Sequence, residues 1–380
     1  MSVRCGLEIL RDLGYEGLHG RRVGIFATPS AVDQRLESAV RILTRADGLH
    51  VSALFSAEHG ISGAVAAGEK VESAAGNGAR LPVHSLYGET FRPTAEMLQG
   101  LDVIVCDIQD VGARFYTYIW TLSHLLEAAG EAGIKVLILD RPNPLGGEID
   151  GEMLDPELAS LVGRYPIPIQ HGMTVGELSS MINERFNPTP APLRVIPCLG
   201  WRHSMTWEQT GLPWVPTSPN MPHISTVRQY PGACLVEGTN LSEGRGTALP
   251  FEIVGAPFID GETLADRLNA MQWIGVRFRP HTFIPSASKW AGETCQGVQV
   301  HITEPSLYFP IRVWVGVIMA VESAYPTAFQ WDHAWFDRLA GSARLRHAIT
   351  AGKPHREIVA AWDEGRVAFA EARTPYLLYD

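Results

Sequence analysis

Carboxylate and imidazole side chains follow the apolar segments in the first half of the chain. Glu58 and His59 come directly after the run VSALFSA, and a glycine-rich stretch follows them. A carboxyl group at the end of a buried strand is well placed for general acid or base catalysis. The alternative for Glu58 is a helix-capping or solvent-exposed carboxylate. Asp107 and Asp110 stand at the end of a second apolar run, in DVIVCDIQD, and are further candidates for the same site.

The segment IQDVGARFYTY adds a cation and phenol groups to this part of the chain. Arg114 has two interpretations, a substrate contact or an internal salt bridge to Asp107 or Asp110. Tyr116 is a candidate substrate contact. Asn143 lies in the rigid segment DRPNP, where proline restricts the preceding residue. This segment is either a structural turn or a second source of substrate contacts.

Two segments of the second half carry further polar side chains. PTSPNMP surrounds Asn220 with three prolines, which fix the backbone. In CLVEGTNLSEGRGT the glycines leave backbone amides approachable, and four polar residues stand among them: Glu237, Asn240, Glu243 and Arg245. An ordinary surface loop is the alternative, but polar residues between tight-turn residues favour a site-forming loop. Carboxylates in both halves of the chain predict a cleft between two domains.

Common catalytic and nucleotide-binding motifs are missing. GAVAAGEK resembles a phosphate-binding loop, but it carries Glu69 and Lys70 where that motif needs lysine and then serine or threonine. No GxGxxG follows a predicted strand, and neither GxSxG nor HExxH occurs. Thr174 in GMTVG is better explained as a helix cap than as a nucleophile. We therefore expect no nucleotide cofactor, and the serine-hydrolase and zinc-protease classes are disfavoured.

Short apolar runs alternate with helical patterns over the first 200 residues. Strands are predicted at residues 21–27, 51–58, 81–87, 101–108, 135–140 and 193–198. Helices are predicted at 38–46, 120–133 and 174–186, the last with a capping box. This alternation predicts an α/β fold, a Rossmann-like doubly wound parallel sheet that binds ligands at the carboxyl ends of its strands.

A different pattern begins near residue 204. Segments rich in proline and tryptophan surround two clear helices, at 261–271 and 310–325, and strand-like pieces at 275–283 and 296–303. We therefore predict two domains, a Rossmann-like domain at 1–204 and a second, smaller α+β domain at 205–380. The active site is expected in the cleft between them.

Composition excludes several classes of protein. The 380 residues carry 31 basic and 41 acidic side chains, a net charge of −10, so we expect the protein to repel nucleic acid and anionic lipid. No apolar run approaches the roughly 18 residues of a membrane span. The five cysteines form no CxxC pair, and the N-terminal segment does not resemble an export signal. We expect a cytoplasmic protein without a membrane span, whose oligomeric state the sequence does not specify.

A series of long blocks resembles the NamZ-type exo-β-N-acetylmuramidases, a family of glycoside hydrolases. The blocks are, in chain order, RRVGIFATPSAVD, FSAEHGISG, SLYGETFRPTAEML, DVIVCDIQDVGARFYTY, VLILDRPNPLGG, YPIPIQHGMTVGELSSMIN, WVPTSPNMP, YPGACLVEGTNLSEGRGT and PFEIVGAPFID. They cover about residues 5–260 with similar spacing, and the rest of the chain fits more loosely. Many long blocks in one order are far more specific than any single motif.

The resemblance implies hydrolysis of terminal β-N-acetylmuramic acid from the non-reducing ends of peptidoglycan fragments, in a cleft between two domains. It implies no metal and no organic cofactor. Glu58, in the EHG block, is the expected catalytic acid. Glu237, in the VEGT block, is the expected second carboxylate, with Asp107, Asp110 and Glu243 as alternatives. Two carboxyl groups that flank the scissile bond are the usual requirement of glycoside hydrolysis.

The substrate itself predicts further contacts. Muramic acid carries a lactyl carboxylate, which an acidic protein can bind only through a local, directed cation. Arg245 is the first candidate and Arg114 the second. Amide, imidazole and phenol groups suit the N-acetyl group and the ring hydroxyls, and we assign these contacts to Tyr116, Asn143, His171 and Asn220. His59 and Asn240 are further expected substrate-binding residues. The remaining alternatives are a non-catalytic amino-sugar-binding protein and another carbohydrate-active reaction on muramic acid derivatives.

Overall fold

The strands and helices of the first half alternate as the sequence predicts. The computed structural model describes residues 2–61, 69–70, 72 and 81–380. Most of the glycine-rich segment after His59, including the larger part of GAVAAGEK, lies outside the described residues. The elements are α1 Gly6–Asp12, β1 Arg22–Ala27, α2 Ala39–Arg45, β2 His50–Ser56, β3 Val83–Ser85, α3 Ala95–Leu98, β4 Val103–Asp107, α4 Tyr118–Ala132, β5 Lys135–Leu139, β6 Asp150–Met153, β7 Pro168–Gln170, α5 Val175–Arg185 and β8 Leu193–Ile196.

Six of the described strands form one parallel sheet, in the order β3-β2-β1-β4-β5-β8. Alternate residues of β4 enter two different cores: Ile104 and Cys106 on one face, Val103 and Val105 on the other. A strand that is buried on both faces needs such a continuous apolar run. The strand order reverses between β1 and β4, so the predicted Rossmann-like, doubly wound α/β sheet is confirmed.

Local sequence signals set the ends of the helices beside this sheet. At α5, Thr174 Oγ1 accepts a hydrogen bond from Glu177 N at 3.2 Å, and Glu177 Oε2 accepts one from Thr174 N at 2.8 Å. This is the predicted capping box. Helix α4 ends at Gly133, whose φ of 65° suits glycine.

The second half has a smaller antiparallel sheet, in the order β10-β11-β9 among the described strands. Its elements are α6 Trp207–Thr210, α7 Ile224–Ala233, β9 Ile253–Ala256, α8 Gly261–Ala270, β10 Val276–Phe283, β11 Cys295–Ile302, α9 Pro310–Ala324, α10 His333–Ala340, α11 Arg344–Thr350, α12 His355–Ala360 and α13 Asp363–Arg373. The second, smaller α+β part is thereby confirmed. The domain boundary near residue 204 stays a prediction.

The prediction of only two clear helices after residue 204 is wrong. α8 and α9 lie where the pattern placed them, but the short helix α6, α7 and the four helices α10–α13 add to them. α7 contains Pro231, which hides its helical pattern. α12 and α13 each bury a single side chain, Ile358 and Phe369. A helix with so small a buried face has only a weak hydrophobic period.

The C-terminal segment returns to the first sheet. Arg373 donates hydrogen bonds to the carbonyl oxygens of Gly147, His171 and Gly172. The hydroxyl of Tyr379 donates to Asp140 Oδ2 at 2.6 Å, at the end of β5. The end of the chain therefore braces loops at the carboxyl edge of the sheet. Within the described ranges, no helix is both long and apolar enough to cross a bilayer.

Candidate active site

A cleft of about 500 Å³ receives side chains from both halves of the chain. The first half contributes residues that follow β2, β3 and β4, and the second half contributes loops, α7 and α10. Its described lining includes Glu58, His59, Tyr87, Phe115, Tyr116, Thr117, Asn220, Met221, Tyr230, Glu237, Arg245, Phe251, Ser288 and Trp335. Six predicted site residues therefore meet here: Glu58, His59, Tyr116, Asn220, Glu237 and Arg245.

Glu58 stands two residues beyond β2 and is 8% exposed. Thr117 Oγ1 donates a hydrogen bond to Glu58 Oε2 at 2.6 Å. The Tyr87 hydroxyl also hydrogen-bonds to Glu58, and burial together with the neighbouring Glu58 charge raises the pKa of Tyr87. Two hydroxyl groups thus orient a carboxyl group at the cleft wall, where it can exchange a proton with a bound ligand.

The turn after Glu58 has an uncommon backbone. His59 has a φ of 70°, in the left-handed region, and Gly60 has a φ of 72°. A non-glycine residue in that region costs on the order of 1–3 kcal/mol, and such residues occur often at functional sites. The His59 ring packs edge-on against Tyr118, with the ring centroids 6.4 Å apart. This turn ends the strand abruptly and leaves Glu58 at the edge of the sheet.

Glu237 and Arg245 form an ion pair in the part of the cleft lining that the second half of the chain contributes. Arg245 Nη2 lies 2.8 Å from Glu237 Oε1, and Trp335 Nε1 donates to Glu237 Oε2 at 3.4 Å. The Arg245 guanidinium stacks over Phe251, 5.0 Å from the ring centroid. Burial lowers the pKa of Arg245, but the carboxylates of Glu237 and Glu243 outweigh burial and raise it. Arg245 is therefore a permanent cation inside the cleft.

Glu243 lies behind this pair rather than in the cleft. It is 1% exposed, and its oxygens lie 3.5 Å from Arg245 Nε and 3.0 Å from Lys289 Nζ. Asn240 is also engaged in the protein, because its side chain donates to Ala328 O at 2.8 Å and accepts from Gln330 N at 3.0 Å. Both residues support the loop, neither is among the described residues that line the cleft, and their direct contact with substrate stays a prediction.

Aromatic rings make up much of the remaining wall. Tyr230 packs edge-on against Phe115, Tyr116 and Phe251. The Tyr116 hydroxyl donates to Thr217 Oγ1 at 2.7 Å, and the Tyr118 hydroxyl donates to the Thr217 carbonyl. These bonds tie the loop that bears Asn220 to the first half of the chain. A pocket with aromatic walls and a few oriented polar groups suits a saccharide.

Arg114 does not reach the cleft. It is 0% exposed, and its guanidinium donates to the carbonyl oxygens of Glu152 at 2.8 Å, Ile167 at 3.0 Å and Leu339 at 2.7 Å. Burial lowers the pKa of Arg114 to about 9, and the Glu152 charge partly offsets this effect. Arg114 forms no salt bridge with Asp107 or Asp110, and it is not among the described residues that line the cleft. Arg114 instead connects three segments of the backbone.

Replacing Arg114 with methionine is expected to lower the free energy of unfolding by at least about 3 kcal/mol, because three buried carbonyl groups lose their donor. Denaturant unfolding followed by circular dichroism measures this loss. Arg277→Met is the matched control, since Arg277 is exposed and also donates to carbonyl oxygens. Equal stability of the two variants would contradict the structural role of Arg114.

Asp107 forms a buried ion pair with Arg141. Arg141 Nη2 donates to Asp107 Oδ2 at 3.0 Å and to Val32 O at 2.9 Å, and both partners of the ion pair are buried. Asp107 ends β4, beside the point where the strand order reverses. In Rossmann-like sheets this crevice commonly holds the ligand. Here an internal ion pair lies in it, and Asp107 is not among the described residues that line the cleft, so its role in the site stays a prediction.

Three further candidates brace neighbouring loops. Asp110 Oδ2 accepts from Gly112 N at 2.7 Å and lies 3.7 Å from His171 Nε2. His171 Nδ1 accepts from Met173 N at 3.2 Å, and Asn143 Nδ2 donates to Met173 O at 2.9 Å. Asp110, Asn143 and His171 are all buried, and none of them lines the cleft. Their contact with substrate stays a prediction.

Sequence reasoning missed several residues of the cleft: Tyr87, Thr117, Tyr230, Phe251 and Trp335. Thr117 stands between Tyr116 and Tyr118 in a segment that was already a candidate, so its hydroxyl could have been included. Trp335 belongs to α10, a helix that the pattern did not predict. The described residues include no cluster of three or more histidine, cysteine, aspartate or glutamate side chains that could hold a metal ion.

The chain is similar to known proteins over its whole length. The profile of the N-terminal part of the exo-β-N-acetylmuramidase NamZ matches residues 23–225, and that of its C-terminal part matches residues 228–379. The peptidoglycan β-N-acetylmuramidase NamZ of Bacillus subtilis (strain 168) is 42% identical over 380 residues, which are 100% of this chain and 92% of that protein.

Two solved structures are also similar. One DUF1343 family protein from Bacteroides fragilis NCTC 9343 has a TM-score of 0.93 and 35% identity, and the match covers 100% of this chain and 99% of that one. A second DUF1343 protein from the same organism has a TM-score of 0.79 and 32% identity, with the same coverage. The fold, the cleft and both profiles agree with the blocks in the sequence, and the chain belongs to the NamZ family of exo-β-N-acetylmuramidases.

Proposed function

We propose that this cleft releases terminal β-N-acetylmuramic acid from the non-reducing ends of peptidoglycan fragments, with Glu58 and Glu237 as its two carboxyl groups. The observation that carries the proposal is that these two residues, 179 positions apart, line the same cleft. As a member of its family the chain is a glycoside hydrolase that acts on peptidoglycan. Glycoside hydrolysis uses two carboxyl groups that flank the scissile bond.

The surroundings of the two carboxyl groups support different roles. Glu58 accepts a hydrogen bond from the Thr117 hydroxyl, is hydrogen-bonded to the Tyr87 hydroxyl, and lines the cleft. We assign it the transfer of a proton to the leaving oxygen. Glu237 accepts from a permanent cation and an indole N–H, and we assign it the other carboxylate role, on the opposite side of the sugar ring.

Arg245 is the proposed contact of the lactyl carboxylate. It is the one arginine or lysine among the described residues that line the cleft. Its Nε and Nη2 bond to Glu237, whereas no hydrogen bond of Nη1 is found within the described part of the chain. A ligand carboxylate can therefore bind to Nη1 without breaking the Glu237 pair. A charge-assisted bond of this kind contributes about 1.5–3 kcal/mol.

The test is hydrolysis of an aryl β-N-acetylmuraminide, followed by release of the aryl group and by chromatography of the freed sugar. We expect turnover of the muraminide and at least about tenfold slower turnover of the matching β-N-acetylglucosaminide, because the latter lacks the lactyl group. The Glu58→Gln, Glu237→Gln double variant is the control. Binding of the muraminide without turnover, or activity of the double variant equal to that of the unmodified chain, would overturn the proposal.

A cytoplasmic location remains part of the proposal. All five cysteines are free and buried, as is common in proteins of reducing compartments. In that compartment the substrates would be small muropeptides taken into the cell rather than the intact wall. Fractionation of cells that express the full chain, with detection by antibody, tests the location.

A further inference from the structure

Lys289 connects the loops that carry the proposed second carboxylate and the lactyl contact. It lies between β10 and β11, 27% of its side chain is exposed, and it does not belong to the predicted site. Its ammonium group donates to Val236 O at 3.0 Å and to Thr239 O at 2.9 Å, and it lies 3.0 Å from Glu243 Oε2. The ammonium group also donates to Glu237 O at 3.4 Å, so three carbonyl oxygens match the three N–H groups of the lysine, and the Glu243 carboxylate adds an ion pair.

Two of these partners fix the position of Glu237. Val236 and Thr239 lie within and just after the short 3-10 turn Cys234–Gly238, which carries Glu237. Carbonyl oxygens at the end of such a turn carry partial negative charge, which a cation stabilises. Lys289 Nζ thus binds the backbone of the turn, while Arg245 and Trp335 donate hydrogen bonds to the Glu237 carboxylate.

The backbone around Lys289 is strained. Ser288 and Trp290, on either side of it, have φ values of 68° and 60°. Such conformations persist only where the surroundings enforce them, and they occur often at functional sites. Trp290 Nε1 donates to Asn240 O at 2.6 Å, and Ser286 N donates to Gly246 O at 2.9 Å. Both acceptors lie in the loop that carries Arg245.

The charges of this group balance only when Lys289 is included. Glu237 and Glu243 contribute two negative charges, and Arg245 and Lys289 contribute two positive ones. Glu243 is 1% exposed, so solvent screens its charge poorly. Without Lys289 these charged side chains would have a net charge of −1, and Arg245 would be the one remaining cation of the group to pair with Glu243. A ligand carboxylate would then meet a net repulsion at the cleft wall.

We propose that Lys289 is a positioning residue that, by pairing with Glu243 and holding the turn of Glu237, leaves Arg245 free to select substrates with an ionised lactyl group. The proposal rests on the proposed function of the cleft. It predicts a specific consequence for substrate choice. Removal of the Lys289 charge should weaken binding of a free lactyl acid more than binding of its uncharged amide.

The experiment compares two substrates, an aryl β-N-acetylmuraminide with a free lactyl carboxyl and its lactyl methylamide. For Lys289→Met we expect the ratio of kcat/KM, acid over amide, to fall about 3- to 20-fold, chiefly through the KM of the acid. Lys289→Arg should keep this ratio within about twofold of the unmodified chain, because the charge remains. Lys353→Met, at an exposed lysine outside the cleft lining, is the matched control and should not change the ratio.

The double variant Glu243→Gln, Lys289→Met separates charge balance from structural damage. It removes one charge of each sign, so the acid-to-amide ratio should return toward that of the unmodified chain, whereas damage to the loop would persist or grow. If Lys289→Met does not fold, the single variant Glu243→Gln tests the inference. It removes one negative charge, which leaves the group with a net positive charge, so the acid-to-amide ratio of kcat/KM should rise. Equal losses on both substrates in Lys289→Met, or no change, would overturn the inference. Failure of the unmodified chain to cleave either substrate would instead overturn the proposed function.

Discussion

Glu58→Gln is expected to lower kcat on a natural disaccharide by about 10²- to 10⁴-fold while the fold stays intact. Glutamine has nearly the same shape and can still accept the Thr117 hydrogen bond, but it cannot give a proton to the leaving oxygen. Hydrolysis should be measured on two substrates, the natural disaccharide and an aryl muraminide with a good leaving group. A large loss on the first and a small loss on the second is the expected signature of a general acid.

Glu157→Gln supplies the matched control, because Glu157 is exposed and outside the lining of the cleft. It should leave both activities unchanged. Equal losses on both substrates in Glu58→Gln would assign Glu58 to the role of nucleophile or base. Unchanged kinetics on both would remove Glu58 from the site altogether.

The strands of the first half could be predicted because their physical signal is local. A strand that is buried on both faces needs an unbroken apolar run, and β4 and β5 have one. The position of Glu58 follows from the same rule, since the residue after a parallel strand must emerge at the carboxyl edge of the sheet. Fold class and one cleft residue therefore follow directly from the order of the apolar runs.

The partners of the buried charges could not be predicted from spacing along the chain. Asp107 was expected near Arg114, seven residues away, but it pairs with Arg141, 34 residues away. The strand order explains this choice. β4 and β5 are neighbours in the sheet, with Cys106 opposite Ile138, so the residues that follow these strands also lie side by side. Such pairs become visible only when the order of the strands is known.

The part of the cleft lining that the second half of the chain contributes depends on contacts between distant segments. Glu237 and Arg245 share one loop and could be proposed together, whereas Lys289 reaches that loop from the connection between β10 and β11. Trp335 reaches it from α10. Neither residue has a motif of its own, because its role depends on where its side chain ends in space. Sequence patterns predict the strands and helices, whereas the tertiary fold determines which side chains come into contact.

Arg245→Lys should reduce kcat/KM for the free-acid muraminide by about 10- to 150-fold relative to the lactyl methylamide, the effect of losing a charge-assisted bond of about 1.5–3 kcal/mol. Lysine keeps a cation near Glu237 but lacks the planar fork of donors, so it cannot bond Glu237 through Nε and Nη2 while offering Nη1 to a ligand. The quantity to measure is the ratio of kcat/KM for the free acid to kcat/KM for the amide, because any disturbance of Glu237 slows both substrates.

Arg245→Ala is the second variant. It separates the two proposed roles of Arg245, the ion pair with Glu237 and the contact with the lactyl carboxylate. It leaves Glu237 without its cation, so both substrates should slow, with a further loss confined to the free acid. Lys353→Met, outside the cleft lining, is again the control for the loss of one positive charge. If both Arg245 variants slow acid and amide by the same factor, Arg245 only holds Glu237 in place. If neither changes any rate, the preference for muramic acid comes from the shape of the pocket or from backbone amides, and the electrostatic assignment fails.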